Sequence, residues 1–421
     1  SSDVCSSDLI MILLYTSGST GIPKGVKLSQ KNLVCFINWY HKYYNLTNKD
    51  TVGAYARFGF DANMMDTYPT LTKGAKLVIL PEEYRLDLQK MDEYFEANGV
   101  THLFLTTQVG RQYGIDGKNK YLRHLSMGGE KLIPFDVSDK YKTYNLYGPT
   151  ECTILSTAYQ VKKEDKSYPI GPVLDNFKGY VVSPDKKRVP VGALGELYLS
   201  GNQVGCGYLN REEKTKEVFI DNPFDNNPKY KNTYRSGDVV RYMENGFVDF
   251  VGRQDGQVKI RGFRIELSEV EEVIRKYDGI KDVALKAFDH PSGGKYLCAY
   301  IVSDKEIDKD DLKKFIMQTK PPYMAPQAVV KIDKIPLNQN GKVNKKALEE
   351  PKIEIKENAK TKLNVLEEKL KNIALDVLKT EDVSITDSLY EFGLTSILSI
   401  KLFTQIYKEF NIDISPSDLN N

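Results

Sequence analysis

A charge excess of either sign is missing from this 421-residue chain: 59 Lys and Arg stand against 57 Asp and Glu, a net +2. Such a balance gives no support to nucleic-acid binding, which shows as a strongly basic patch. Histidine is scarce (4), and the cysteines (5) are odd in number and far apart, at Cys5, Cys35, Cys152, Cys206 and Cys298. Neither type falls at metal-ligand spacing, so no zinc site or disulfide framework is expected and the chain reads as a reduced, cytoplasmic protein. Long apolar runs are missing as well. The run from Leu9 to Tyr15 is too short to cross a bilayer, so no membrane partner is expected. Asp3 and Asp8 precede it where a secretory signal would be basic.

What is present is a chain long enough for more than one domain, since single cores stop growing near about 250–300 residues. Hydrophobic residues make up 41% and charged residues 28%, ordinary for a globular protein. Residues 1–9, SSDVCSSDL, nearly repeat themselves without an initiating Met and read as a non-native scar.

Behind LIMILL, read as a buried strand, comes YTSGSTGIPKG (Tyr15–Gly25). Glycine lets backbone N–H groups converge on an anion, hydroxyls add donors, and one Lys supplies a point charge for phosphate oxygens. No GK[ST] closes the segment, so it is not a Walker A loop. On these residues alone it is either an anion cradle or a plain Gly/Ser turn. YNLYGPTE (Tyr144–Glu151) follows as a proline turn with an aromatic face and an acid. YRSGD (Tyr234–Asp238) and GRQDGQVKIRGFRI (Gly252–Ile265) come next. In the latter, Val258, Ile260 and Gly262 alternate with Lys259, Arg261 and Phe263, which predicts a strand. SEVE (Ser268–Glu271) predicts a capping box opening a helix, with Val270, Val273, Ile274 and Tyr277 on one face.

The C-terminal third adds PLNQNGKVNKKAL, whose Asn-Gly pair is a hairpin signal that leaves Lys342 on a turn. Residues 351–362 are charged and aperiodic, a linker. Leu366, Leu370, Ile373 and Val377 then step like an amphipathic helix. In DSLYEFGLTSILSIKLF, Ser396 stands where a helix cap would stand, with Ile397, Ile400, Phe403, Tyr407 and Phe410 as the buried face.

These strings, in this order, resemble the adenylate-forming superfamily, and most closely the adenylation domains of nonribosomal peptide synthetases followed by a peptidyl carrier protein. The resemblance implies an α/β large subdomain over 10–254 that lacks its N-terminal part. A small α+β subdomain would follow over 255–350, and an all-α helical-bundle carrier, C-terminally incomplete, over 363–421. It implies that Thr16, Ser17, Gly18, Ser19, Thr20, Gly21 and Lys24 hold the β- and γ-phosphates of ATP. Asn145, Tyr147, Gly148, Asp238 and Arg253 would hold adenine and ribose. Thr150 and Glu151 stand at the catalytic centre, Glu151 as ligand to Mg²⁺, because Mg²⁺ shares oxygen ligands with phosphates. Asp255 is the implied hinge of the small subdomain.

Lys342 aligns with the lysine that bridges the substrate carboxylate and the α-phosphate, offsetting the repulsion between two anions. Asp61, in FDANMMD, aligns with the aspartate that meets the α-ammonium of an amino acid; as a bare sequence feature it is a helix N-terminal acid. The implied pocket is Asp61, Ala62, Met65, Phe104, Ser126, Gly128, Leu146 and Ile154, mostly apolar and suited to an apolar side chain. Ser396 aligns with the serine that carries 4′-phosphopantetheine, although GLTS stands where Gly-Gly-Asp/His-Ser is commoner. The implied partners are an amino acid, a phosphopantetheinyl transferase and neighbouring condensation or thioesterase domains. Three rival readings are an acyl- or aryl-acid ligase, a D-alanine-type carrier ligase and a catalytically incompetent fragment of a longer synthetase.

Overall fold

The computed structural model describes residues 8–16, 23–85, 87–253, 258–260, 263–289, 295–336, 343–351, 365–378 and 396–410, with positions 380, 383, 389, 394 and 412. Ser17, Gly18, Ser19, Thr20, Gly21, Asp255 and Lys342 lie outside the described residues, and Ser396 is described only through its backbone. The chain divides into two compact units, the first made of most residues up to Gln257 and the second mainly of those from Val258 onward.

In the first unit β1 (Ile10–Thr16) pairs antiparallel with β2 (Lys24–Ser29), which sets Thr16 opposite Lys24. The apolar run read as a buried strand is instead largely exposed, with Ile10, Met11, Leu13 and Tyr15 open to solvent. Among the described strands β1 has β2 as its one partner, while its Ile12 and Leu14 pack against the core. Ser29 then caps α1 (Gln30–Tyr43) in a capping box with Asn32, and α1 buries Leu33, Phe36, Ile37 and Tyr40.

Next come β3 (Thr51–Ala54), α2 (Asp61–Thr72), β4 (Lys76–Ile79), α3 (Leu88–Ala97), β5 (His102–Thr106) and α4 (Thr107–Asp116). After them run β6 (His124–Gly128), β7 (Lys142–Tyr147) and β8 (Thr157–Val161). These form a six-stranded sheet in the order β4-β3-β5-β6-β7-β8, parallel except for β8. Alternation of strand with helix produces this geometry, because parallel neighbours need a crossover between them.

A second sheet combines β9 (Phe177–Val182), β10 (Gly195–Gly201), β11 (Phe219–Asp221), β12 (Asn232–Tyr242) and β13 (Val248–Arg253), with α5 (Glu212–Val218) leading into β11. One apolar core takes residues from both sheets, α1 and α2, among them Phe36, Met65, Leu146, Leu197 and Val240.

The second unit opens with β14 (Val258–Ile260) and β15 (Phe263–Ile265), paired antiparallel with Ile260 opposite Phe263. The single strand expected over Val258–Phe263 is therefore a hairpin. Residue alternation looks the same before and after a reversal, so it does not report the turn. The capping box expected at Ser268–Glu271 does not form. α6 (Leu267–Ile274) starts two residues earlier, with Glu266 rather than Ser268 at the cap position and no side-chain cap. Its predicted face holds: Val270 and Ile274 are buried, and Val273 and Tyr277 pack beside them.

α6 lies on β16 (Ile280–Asp289) and β17 (Lys295–Ser303) with α7 (Lys309–Met317), and β18 (Ala328–Lys331) adds a parallel edge. Alternate residues of β16 and β17 face two cores, Val283, Leu285, Leu297 and Ala299 one way and Ala284, Cys298 and Tyr300 the other.

Beyond the linker, α8 (Val365–Leu378) and α9 (Ser396–Phe410) share a small core of Ala374, Val377, Leu378, Leu398, Leu402 and Ile406. Two expectations are corrected here. Leu366, placed on the buried stripe of α8, is 51% exposed. Among the described side chains of α9, Leu398, Leu402 and Ile406 pack, with Phe410 partly covered, whereas Tyr407 is exposed; the side chains of Ile397 and Ile400 lie outside the described residues. Two apolar stripes run along α9 at helical spacing, and contact with α8 selects between them. Among the described residues no helix is long and apolar enough to cross a membrane.

Candidate active site

Described residues of three of the signature strings, Tyr147 of YNLYGPTE, Asp238 of YRSGD and Arg253 of GRQDG, meet within the first unit. β12 and β13 set Asp238 opposite Arg253, and Arg253 Nη1 lies 2.6 Å from Asp238 Oδ1. The same guanidinium donates to the Ser236 carbonyl at 3.0 Å. The Tyr147 hydroxyl donates to Asp238 Oδ2. Burial, and then the neighbouring Asp238 charge, push that phenol well above its ordinary range, so it stays a donor. Tyr147 is 8% exposed and its ring lies 6.1 Å from that of Phe250.

Glu151, on a short 3₁₀ turn (Thr150–Cys152), is fully buried. Its Oε1 accepts from the Tyr208 hydroxyl at 2.7 Å, and Lys24 Nζ lies 5.3 Å from the centre of the Tyr208 ring. Lys24, Tyr208 and Glu151 thus form one chain of contacts, and Thr16 stands across the β1–β2 ladder from Lys24. Thr16 Oγ1 is buried and makes no hydrogen bond among the described residues. A buried hydroxyl without a partner is costly, and an anion's oxygen would satisfy it. The described residues include no group of three or more His, Cys, Asp or Glu suited to hold a metal. A lone carboxylate fits Mg²⁺, which keeps waters and phosphate oxygens and needs few protein ligands.

The Thr150 hydroxyl donates to Asp61 Oδ2 at 2.5 Å, bringing the YGPTE turn to the first residue of α2. Next to Asp61 the predicted pocket residues assemble. Phe104, Ser126 and Tyr144 are register partners across β5, β6 and β7, as are Thr106, Gly128 and Leu146 two residues further on. They share one face of the sheet, and Met65, Phe104, Leu146 and Ile154 lie in one buried cluster with Ala62 packed against it.

Gly128 is tight: a Cβ there would come 2.8 Å from the Leu146 carbonyl oxygen. Gly148 is tighter, 2.2 Å from the Ile154 oxygen, so any side chain would displace the turn. Asn145 stands apart from the other nucleotide-site candidates. It shares a face of β7 with Tyr147, but its amide donates to the Pro169 carbonyl at 2.8 Å and so anchors the strand.

Three residues at this site escaped the sequence reading. Tyr208 carries Glu151, and its flanking glycines (GCGYL) were the available signal. The Tyr44 hydroxyl bonds Ser126 Oγ at 2.9 Å beneath the pocket, so Ser126 already has a hydroxyl partner. Gln203, fully buried, spans to the loop after Glu151 and left no signal at all.

Three family models match in succession: AMP-binding enzyme over residues 2–209, AMP-binding enzyme C-terminal domain over 269–342 and phosphopantetheine attachment site over 368–421. Among curated relatives, bacitracin synthase 1 of Bacillus licheniformis is 37% identical over 97% of this chain and 8% of its own length. Surfactin synthase subunit 2 of Bacillus subtilis (strain 168) is 37% identical over 95% of this chain and 11% of its own. The chain thus spans only a small part of either relative.

The Vibrio cholerae adenylation domain AlmE, solved in complex with glycyl-adenosine-5′-phosphate, superposes with a TM-score of 0.70 at 28% identity, over 81% of this chain and 66% of its own. Holo-PA1221, a protein containing adenylation and PCP domains, shares the fold at a TM-score of 0.75 and 22% identity, over 96% of this chain and 69% of its own. The order of the three matched domains is the order of the motifs along the sequence, and the chain belongs to the AMP-binding, adenylate-forming enzymes as a nonribosomal-peptide-synthetase adenylation domain joined to a phosphopantetheine carrier.

Proposed function

We propose that this chain activates an amino acid with ATP and loads it onto its own carrier. The observation that carries the reading is the meeting of Asp61 and Thr150 beside a buried apolar cluster that holds Met65, Phe104, Leu146 and Ile154. An acid placed there supplies the counter-charge for an α-ammonium, which a fatty or aryl acid lacks. The side-chain wall of Met65, Phe104, Leu146 and Ile154 favours an apolar amino acid.

In the first step a substrate carboxylate oxygen bonds to the α-phosphorus, the bond from that phosphorus to the bridging oxygen breaks, and pyrophosphate leaves with the electron pair. Lys342 supplies the cation between the two anions, where charge develops in the transition state. Asp238, held by Arg253 and Tyr147, is the acceptor for the ribose hydroxyls. Lys24, with Thr16 and the Ser17–Gly21 stretch, takes the outer phosphates, and Glu151 would hold Mg²⁺ beside them, with Thr150 next to it. When bound on Ser396, 4′-phosphopantetheine supplies the thiol that receives the acyl group, AMP being the leaving group. Asp255 serves as the hinge between the half-reactions. A phosphopantetheinyl transferase and neighbouring condensation or thioesterase domains are the partners this chemistry requires.

The test is amino-acid-dependent exchange of pyrophosphate into ATP, across apolar, polar and charged amino acids and a fatty acid. Exchange best with Leu, Val or Phe is expected. Exchange driven best by Asp, Lys or the fatty acid overturns the pocket reading.

A further inference from the structure

Two consecutive β-branched residues beside the pocket hold a left-handed backbone: Thr153 at φ 55° and Ile154 at φ 75°. For β-branched side chains this region is a true outlier, kept only where the surroundings over-determine it. Both are buried, and Ile154 is one of the residues that the resemblance assigns to the amino-acid pocket.

The group that over-determines them comes from the loop after β10. Gln203 Nε2 donates to the Leu155 carbonyl at 3.0 Å, and the Thr153 hydroxyl donates to the Gln203 carbonyl at 2.6 Å. Gln203 is itself aimed by Asn176, whose Nδ2 donates to Gln203 Oε1 at 2.5 Å and to the Cys35 carbonyl at 3.2 Å. We propose that Gln203 is a positioning residue for amino-acid selection, holding Thr153 and Ile154 in the conformation that turns Ile154 into the pocket. This rests on the adenylation reading above.

The same loop meets the other end of the turn through different atoms. The Gly205 N–H donates to the Glu151 carbonyl at 2.8 Å, and Tyr208 holds the Glu151 carboxylate. Removing only the Gln203 amide therefore loosens the pocket end and leaves the Glu151 end tied. A residue that merely supported the fold would disturb both ends together.

The experiment uses the full chain with Gln203→Met, which keeps side-chain length and removes the donor. Asn176→Ala, which leaves Gln203 in place but unaimed, is the second variant should the first fail to fold. In pyrophosphate exchange the amino-acid KM should rise about tenfold while the ATP KM stays within about twofold, as expected when one reactant is misplaced. Discrimination between two apolar amino acids should narrow. Equal rises in both KM values, or no rise in either, overturn the proposal.

Hydrogen–deuterium exchange over residues 150–156 gives a readout that needs no turnover. Faster exchange there than in the parent, with distant segments unchanged, supports the clamp, and unchanged exchange sinks it. A parent that shows no amino-acid-dependent exchange defeats the adenylation reading, while hydrogen exchange still decides whether Gln203 holds the turn.

Discussion

Thr150 donates its hydroxyl proton to Asp61 at 2.5 Å across 89 residues of chain, so the YGPTE turn and the start of α2 are fixed to one another. Asp61→Ala removes the carboxylate expected to meet the α-ammonium. Amino-acid activation should fall by about a hundredfold or more, as when a buried charge loses its partner. Pyrophosphate exchange measures this, and a variant that still exchanges at the parent's rate would show that Asp61 is only a helix N-terminal acid.

Lys342→Ala should lower adenylation by about 10²–10³-fold, the usual loss on removing one group that stabilises transition-state charge. ATP binding should persist, because that cation acts mainly on the reacting centre. Fluorescent-nucleotide titration beside the exchange assay separates the two. Loss of both in parallel would argue against the assignment.

Arg253 and Asp238 form a largely buried pair, with side chains 12% and 7% exposed. Arg253→Ala leaves the carboxylate with Tyr147 as its remaining named partner. The chain should lose about 3–5 kcal/mol of stability, as when a buried pair is broken from one side. ATP affinity should fall with it. Urea unfolding measures the first and nucleotide titration the second, and an unfolding midpoint equal to the parent's would refute the stability claim.

Acid should destabilise the first unit through two stacked imidazoles on β5 and β6. Burial, then the neighbouring His124 charge, lowers His102 from 6.5 to about 3. Burial, then Arg123 and Lys142, lowers His124 to about 4. Asp50 opposes both shifts without reversing either. Both folded-state values lie below the unfolded one, so the unfolded chain binds protons first as pH falls. Their contribution is complete above about pH 6.5 and drains away as pH drops toward 4. Urea midpoints near pH 7 and near pH 5 should differ in the parent and differ less in His124→Gln. Equal slopes in the two proteins would place the acid sensitivity elsewhere.

Incubation with coenzyme A and a phosphopantetheinyl transferase should add one arm to the chain, seen by intact mass, and Ser396→Ala should abolish the addition. Ser396 is the first residue of α9, where backbone N–H groups and the helix dipole favour an incoming phosphodiester. If the parent gains no mass while α8 and α9 are folded by circular dichroism, Ser396 is a helix start and nothing more.

The sequence revealed most where chemistry is concentrated in contiguous strings. YGPTE, YRSGD and GRQDG each announce a residue that the fold then brings near another: Thr150 to Asp61, Tyr147 and Arg253 to Asp238. It was silent where a residue works through an isolated contact. Gln203 and Tyr44 sit in ordinary surroundings, and only packing reveals that one holds Leu155 and the other Ser126. It misled where two patterns are equally periodic. On α9 both apolar stripes repeat at helical spacing, and the choice of Leu398, Leu402 and Ile406 is made by α8, not by α9 itself. The hairpin after Ile260 failed for a related reason, since reversal leaves residue alternation intact.

β7 sends Tyr144 and Leu146 to one face and Asn145 and Tyr147 to the other, so the pocket wall and the Asp238 contact are interleaved along a single strand. Inserting or deleting one residue between 142 and 147 would swap those faces and ruin both at once. Exchanging Leu146 for another apolar residue would touch the wall alone. Descendants of this chain can therefore change their preferred amino acid by replacement while the length of β7 stays frozen, and a library aimed at new substrates should vary identities here and never spacing.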